Sequence, residues 1–320
     1  MLVSVLIAAG FAAMPGNAAA KSKKVNVAVG IGDQSFRMFA DPNYRALHLK
    51  KARYFIKWDS ILKPEELQKA DAFVKFARAS GVRVLMHIST DNLGAKEGAL
   101  PSVSQYKLAA KALVDRYRPM GVREWGVWNE VNHKTQPTYR SPKRAAQYYK
   151  TFRRLCEGCR IVALDVLDQR GVESYIRRWF RAAGSAGRRA RVIGIHNYSE
   201  VNRRLGEKRS RQSLRQYPGT ARIIKAVRRK NRRAKFWYTE TGGIVNFGSG
   251  ALRCNATRAA NRTRFMFRLL RRYDRDIERL YSYNWYSADC DGFDAGLVEA
   301  NGEPRPAYRV FKRELRRARR

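Results

Sequence analysis

The chain alternates short runs rich in β-branched and aromatic residues with longer amphipathic stretches rich in Arg, Ala and Leu. Runs of the first kind predict strands over Val25–Gly30, Ala52–Trp58, Val82–Ile88, Glu124–Trp128, Ile161–Leu167, Val192–His196, Lys235–Thr239 and Arg279–Trp285. The stretches between them predict helices over Pro64–Ser80, Val103–Tyr117, Pro142–Cys156, Val172–Ala183, Thr220–Arg229 and Thr257–Tyr273, with a last one over Ala307–Arg317. Start and stop chemistry supports the first helix. Pro64 lacks the N–H that a first turn leaves unpaired, Glu65 and Glu66 favour the positive end of the helix dipole, and Gly81 follows the end.

Strands separated by helices imply a parallel sheet, and eight of them close a barrel. The expected fold class is therefore α/β, a (β/α)8 TIM barrel. A doubly wound open sheet would carry a Gly-rich phosphate turn after its first strand. Gly30-Ile31-Gly32-Asp33 is too short for that turn. No repeat or low-complexity linker divides the 320 residues, so residues 21–320 read as a single domain of barrel size.

The N-terminus changes the expected compartment. An apolar stretch from Leu2 to Met14 leads into Ala18-Ala19-Ala20 and then Lys21, which is the pattern of an export signal over residues 1–20, although no Lys or Arg precedes it. The apolar run is too short to span a bilayer, which takes ~20 residues, and no later segment is apolar enough. A secreted protein is expected. The four cysteines agree: an even number in an exported chain favours disulfides over a metal site. Cys156 and Cys159 can close a tight local loop, leaving Cys254 to pair with Cys290.

Net charge is +39, from 66 Lys and Arg against 27 Asp and Glu. Such a surface attracts polyanions. The arginines are spread along the predicted helices rather than gathered in one patch, so the charge suits either an acidic partner or an Arg-rich composition decorating solvent-facing helices. No nucleic-acid reading motif and no interleaved aromatic–basic stripe is present, and no nucleic-acid partner is expected.

Active sites of such barrels lie at the C-terminal ends of the strands. The fourth strand ends Trp128-Asn129-Glu130, and the seventh ends Thr239-Glu240-Thr241-Gly242-Gly243. Two glutamates thus emerge on one face from strands three positions apart, which sets them across the barrel mouth. Glycosidic cleavage needs such a pair, one carboxyl to protonate the leaving oxygen and one to attack or stabilise the anomeric carbon. Either glutamate alone would equally suit an exposed loop.

With these two motifs the sequence resembles the clan A glycoside hydrolases, the superfamily that includes families 5 and 39, over essentially the whole mature chain. The resemblance implies a retaining glycoside hydrolase acting on a poly- or oligosaccharide, neutral or acidic. It implies that Glu130 is the acid/base, Glu240 the nucleophile and Asn129 a ligand of the sugar 2-hydroxyl, with the carboxyl groups about 5 Å apart. It also implies a hydrogen-bond donor to the nucleophile at the end of the sixth strand, Tyr198 first and His196 second. An aromatic floor under the reacting sugar is expected from Trp285, with Trp58 in a similar role. His87 suits a contact to sugar hydroxyls or a satisfied core position. Asp289, Asp291 and Asp294 suit hydroxyl binding or a solvated turn. No metal and no organic cofactor is expected, and the chain is expected to be a monomer. The rival reading is a non-catalytic binder of polysaccharide or cell-wall polyanion.

Overall fold

The computed structural model describes residues 25–90, 100–202, 219–248 and 252–319; the expected export signal lies outside them. Eight parallel strands close a barrel: β1 (Ala28–Gly32), β2 (Lys51–Lys57), β3 (Arg83–Ser89), β4 (Glu124–Gly126), β5 (Arg160–Leu167), β6 (Val192–His196), β7 (Lys235–Thr241) and β8 (Ile277–Tyr283), with β8 pairing back onto β1. Helices cross between successive strands, so the chain is a (β/α)8 barrel as its pattern predicts. The helices Val103–Tyr117 and Val172–Ala183 and strand β6 have the expected bounds.

Two strands end two residues earlier than the apolar runs suggest. After Gly126 the Val127 N–H goes to Val162 and the Asn129 N–H to Ile88, so the backbone switches neighbours and leaves the sheet. At the end of β8 the Trp285 N–H is taken by the Asp33 carboxylate at 2.8 Å.

Strand alternation sorts the side chains between two interiors. On β2, Ala52, Tyr54 and Ile56 face the helices. Tyr54 meets Phe73 of the helix Pro64–Ala79 at 4.7 Å between ring centres. Full burial of a ring like Phe73 contributes roughly 1.5–3 kcal/mol, and this outer shell holds most of the apolar core. The intervening Lys51 and Arg53 are buried at the barrel axis instead.

The axis is filled in layers. At the N-terminal end Glu124 accepts from Lys51 Nζ at 2.9 Å and from Arg279 Nη2 at 2.8 Å, and the Arg279 guanidinium lies 3.8 Å over the Trp237 ring. Leu85, Val162, Val192, Trp237 and Tyr281 form an apolar layer. Above it lie Arg53, His87, Asp165 and His196, every one buried. Glycines make room for these large polar groups: a Cβ on Gly126 would overlap the His87 ring, and one on Gly194 would overlap Asp165 Oδ1.

Both expected cysteine pairs, Cys156–Cys159 and Cys254–Cys290, stand at disulfide distance with Cα atoms 5.5 Å apart. The second joins the loops after β7 and β8. An antiparallel pair of two-residue strands, Asn246–Phe247 and Phe293–Asp294, ties the same loops together. Among the described residues no helix is long and apolar enough to cross a membrane.

Candidate active site

Glu130 and Glu240 both stand at the C-terminal mouth, each half-buried. Glu130 follows β4 with φ of 43°, a left-handed conformation that costs a non-glycine residue of order 1–3 kcal/mol. Its surroundings over-determine it. The Val131 N–H donates to the Asp165 carbonyl at 3.0 Å, the His133 N–H to the Glu130 carbonyl at 2.8 Å, and the Glu130 N–H points at Asp165 Oδ2 at 3.4 Å. Glu240 owes its position to an irregularity in β7. The register with β6 slips between Ile195 and His196, so that His196 pairs with Glu240, and the register with β8 slips between Tyr238 and Thr241. A bulge of this kind re-aims a side chain next to a site. Thr239 still points inward, to Asp165, while Glu240 reaches the mouth.

Glu240 is gripped at both oxygens. Tyr198 OH donates to Oε1 at 3.0 Å and Arg53 Nη1 to Oε2 at 2.7 Å. Tyr198 begins a short helix, Tyr198–Asn202, whose first N–H groups are received by Asp168: Ser199 N at 2.9 Å and Glu200 N at 2.7 Å. Asn202 then closes onto the loop after β7, donating to the Gly242 carbonyl at 2.9 Å and accepting the Ile244 N–H at 2.8 Å. The donor and its acceptor are thus fixed by the same contacts.

Arg53 reaches three partners. Besides Glu240, Nη2 donates to Asn129 Oδ1 at 2.5 Å and Nε to His87 Nδ1 at 3.3 Å. His87 is fully buried, and burial pushes its ring down to about 3 with Arg53 adding to the effect against Asp165. A neutral, enclosed His87 orients the guanidinium and has no surface for a sugar hydroxyl; its Nε2 is buried 3.6 Å from Asp165 Oδ2 without a hydrogen bond among the described residues.

His196 has the opposite electrostatics. Burial alone would lower it, yet the Asp165 and Glu240 carboxylates outweigh burial and push it up to about 10. Its Nε2 is 2.9 Å from Asp165 Oδ2, and its Nδ1 is 2.9 Å from Glu130 Oε1 and 3.8 Å from Glu240 Oε2. His196 is therefore an imidazolium that contacts Glu130 more closely than Glu240, while Tyr198 is the direct donor to Glu240. Asp165 is itself held well below the usual carboxylate range: burial would raise it, and His196 and Arg53 more than reverse that.

Trp285 is not a sugar floor. It is fully buried, its Nε1 donates to Asp41 Oδ2 at 2.9 Å, and its ring packs edge-on against Tyr44 and Tyr308. Because β8 ends at Tyr283, Trp285 turns outward into the core. Trp58 is half-buried against the outer core. The aromatic surface at the mouth comes instead from Phe293, set 5.3 Å from the Tyr198 ring, and from Phe247 beside it at 5.6 Å, which is 57% exposed. Asp294 is buried and paired with Arg305 at 2.9 Å, holding that loop.

Arg53 and Asp165 escape a reading of strand-end motifs because both lie inside strands. The signal was a charge in the middle of an otherwise apolar run, in Ala52-Arg53-Tyr54-Phe55 and in Ala163-Leu164-Asp165-Val166. Among the described residues no cluster of three or more His, Cys, Asp or Glu is arranged to hold a metal ion.

Neither a protein-family model nor a curated protein sequence matches the chain. Solved structures share its fold. Xylanase B of Clostridium stercorarium is 13% identical with a TM-score of 0.60, the match covering 89% of this chain and 96% of that one. A GH39 enzyme of Xanthomonas axonopodis pv. citri is 13% identical with a TM-score of 0.64, covering 92% and 67%. A GH128 endo-beta-1,3-glucanase of Amycolatopsis mediterranei is 14% identical with a TM-score of 0.55, covering 90% and 99%.

Proposed function

We propose that this chain is an exported, retaining glycoside hydrolase in which Glu240 is the nucleophile and Glu130 the acid/base. One observation carries the reading: carboxyl groups from the ends of β4 and β7 meet at a single nitrogen, His196 Nδ1, at the mouth of the barrel. The fold neighbours, glycosidases by their names, supply the precedent, and the two cysteine pairs suit an oxidising compartment.

The roles follow from the donors. Arg53 and Tyr198 carry protons and aim them at both oxygens of Glu240, which casts Glu240 as the acceptor that attacks the anomeric carbon. His196 Nδ1–H is held 2.9 Å from Glu130 Oε1 and orients the carboxyl that protonates the leaving oxygen. Once Glu240 is glycosylated, Glu130 takes a proton from the incoming water. Since one nitrogen is within 3.8 Å of an oxygen on each glutamate, those oxygens are less than about 7 Å apart. That bound is compatible with the ~5–5.5 Å separation of retaining pairs. Asn129, held by Arg53, faces the sugar 2-hydroxyl, and Phe293 with Phe247 supplies the apolar platform for the pyranose ring.

The test is reducing-end release from a panel of neutral and acidic polysaccharides by the wild type, Glu130→Gln and Glu240→Gln. Loss of turnover in Glu240→Gln, a drop of about 10²–10⁴ in Glu130→Gln, and a product whose anomeric configuration matches the substrate by NMR are expected. Turnover that survives both changes would overturn the assignment.

A further inference from the structure

A second polar recess opens on the same face, beside Glu130. It has a volume of about 350 Å³ and lies between the loops that follow β4 and β5, lined by Asn132, Tyr139, Arg140, Gln169, Arg170 and Arg178 among others. Its floor is tied to the catalytic strands. Asn132, two residues beyond Glu130, donates to the Leu167 carbonyl at 2.9 Å and accepts the Leu167 N–H at 2.8 Å, two residues beyond Asp165. The recess lies on the β4–β5 side of the barrel, whereas Glu240 stands at the end of β7.

Three exposed guanidiniums, Arg140, Arg170 and Arg178, line this recess, and none forms an ion pair with an acid among the described residues. Other recesses are lined by basic side chains as well, Arg309, Arg313 and Arg316 on the last helix among them; this one is set apart by its place beside Glu130. Together these exposed guanidiniums offer charge-assisted donors to an anionic ligand. The helix Val172–Ala183 starts at the lining residue Gly171 with no side chain capping its first N–H groups, and its first-turn Glu173 is paired with Arg222 at 2.9 Å. Tyr139, 38% exposed, offers an aromatic face in the same recess. Planar guanidinium forks match carboxylates bidentately, and an aromatic face suits a pyranose ring. That combination describes a uronate residue.

Resting on the glycosidase reading above, we infer that the substrate is a carboxylate-bearing glycan, with Arg140, Arg170 and Arg178 holding uronate units on the leaving-group side of the scissile bond. The side follows from chemistry: the acid/base protonates the departing sugar, and the recess adjoins Glu130 rather than Glu240.

The experiment compares uronate polymers (polygalacturonate, alginate, hyaluronan and glucuronoxylan) with the same polymers after chemical reduction of their carboxyl groups. The proteins are the wild type, a triple variant Arg140→Ala, Arg170→Ala and Arg178→Ala, and a control triple Arg309→Ala, Arg313→Ala and Arg316→Ala on the last helix. Two quantities are read: the ratio of kcat/KM for the acidic over the reduced polymer, and direct binding of each polymer to the Glu240→Gln protein with and without the recess substitutions. The inference expects an acidic-to-reduced ratio of at least tenfold on one polymer, weakened by added NaCl, collapsing toward one in the recess variant and kept in the control. It also expects tenfold weaker binding when the recess arginines are removed from the Glu240→Gln protein. Equal use of acidic and reduced polymers, with Glu240-dependent turnover, overturns the uronate inference and leaves the hydrolase reading standing. Binding of the acidic polymer that the recess substitutions do not weaken overturns it whether or not turnover is seen. Recess-dependent binding with no Glu240-dependent turnover of any polymer supports the uronate site and sinks the hydrolase reading.

Discussion

Arg53 Nη1 stands 2.7 Å from Glu240 Oε2, joining side chains that are 187 residues apart in sequence and only 2% and 14% exposed. The same guanidinium carries Asn129, so a single buried cation sets the direction of both side chains at the mouth. Arg53→Lys keeps the charge but cannot reach Glu240, Asn129 and His87 together. Loss of one hydrogen bond to a charged group costs about 1.5–3 kcal/mol. We expect kcat to fall roughly 10- to 100-fold on that basis, with KM changing less. Steady-state kinetics checks this, and an unchanged kcat would remove Arg53 from the positioning role.

Stability above neutral pH depends on His196. Its folded value is about 10 against an ordinary 6.5, so the folded state keeps a proton that the unfolded chain releases. That contribution is complete below pH 6.5 and is lost as pH rises to about 10, at up to about 1.4 kcal/mol per pH unit. Urea midpoints of the wild type should fall between pH 7 and 10, and the corresponding limb should flatten in His196→Gln.

Two other buried groups oppose each other on the acid side. His87 is held down to about 3 by burial, so below pH 6.5 the unfolded chain gains a proton that the folded state refuses, and stability falls with pH. Asp168 is pushed up to about 7, also by burial, so its contribution is complete below pH 3.8 and is lost as pH rises through 7. The slopes are opposite in sign between pH 4 and 6.5 and nearly cancel. Asp168→Asn should uncover the His87 slope, with stability rising by about 1.4 kcal/mol per unit over that window. A pH series of urea midpoints that is flat in this variant would contradict the assignment.

Gly194 faces Asp165 with no room for a side chain. Gly194→Ala forces Asp165 and Thr239 aside, and overpacking of this kind costs typically 1–3 kcal/mol. Because Asp165 supports both His196 and the Glu130 backbone, activity should fall further than the change in melting temperature alone explains. A thermal melt and a kcat on the same preparation separate the two effects.

Cys254–Cys290 closes a loop of 36 residues and Cys156–Cys159 one of 3. Loop-closure entropy assigns about 4 kcal/mol to the longer loop and about 2 kcal/mol to the shorter. Replacing Cys254 and Cys290 by Ser should lower stability more than replacing Cys156 and Cys159. It should also raise KM, since that bridge anchors the loops that carry Phe247 and Phe293. Denaturation midpoints and glycan kinetics on both double-Ser variants check the order.

The barrel was legible in the residues alone, because period-2 and period-3.6 patterns are local and repeat through the chain: Val192–His196 and Val103–Tyr117 could be bounded by their own residues and those beside them. So was the placing of Glu130 and Glu240 on one face, since both follow strand ends and every strand of a parallel barrel ends on the same side. Tertiary structure decided what surrounds them. Trp285 reads as a strand-end aromatic, but β8 stops at Tyr283 because Asp33, 252 residues away, takes the Trp285 N–H, and the ring goes into the core. Phe247 and Phe293 meet through a two-residue ladder between different loops, which the Cys254–Cys290 pair also joins. Arg53 and Asp165 look like interruptions of apolar strands until barrel closure brings Glu240, His87 and His196 within hydrogen-bond or ion-pair range. Their partners are set by distances across the barrel, which a local pattern does not encode.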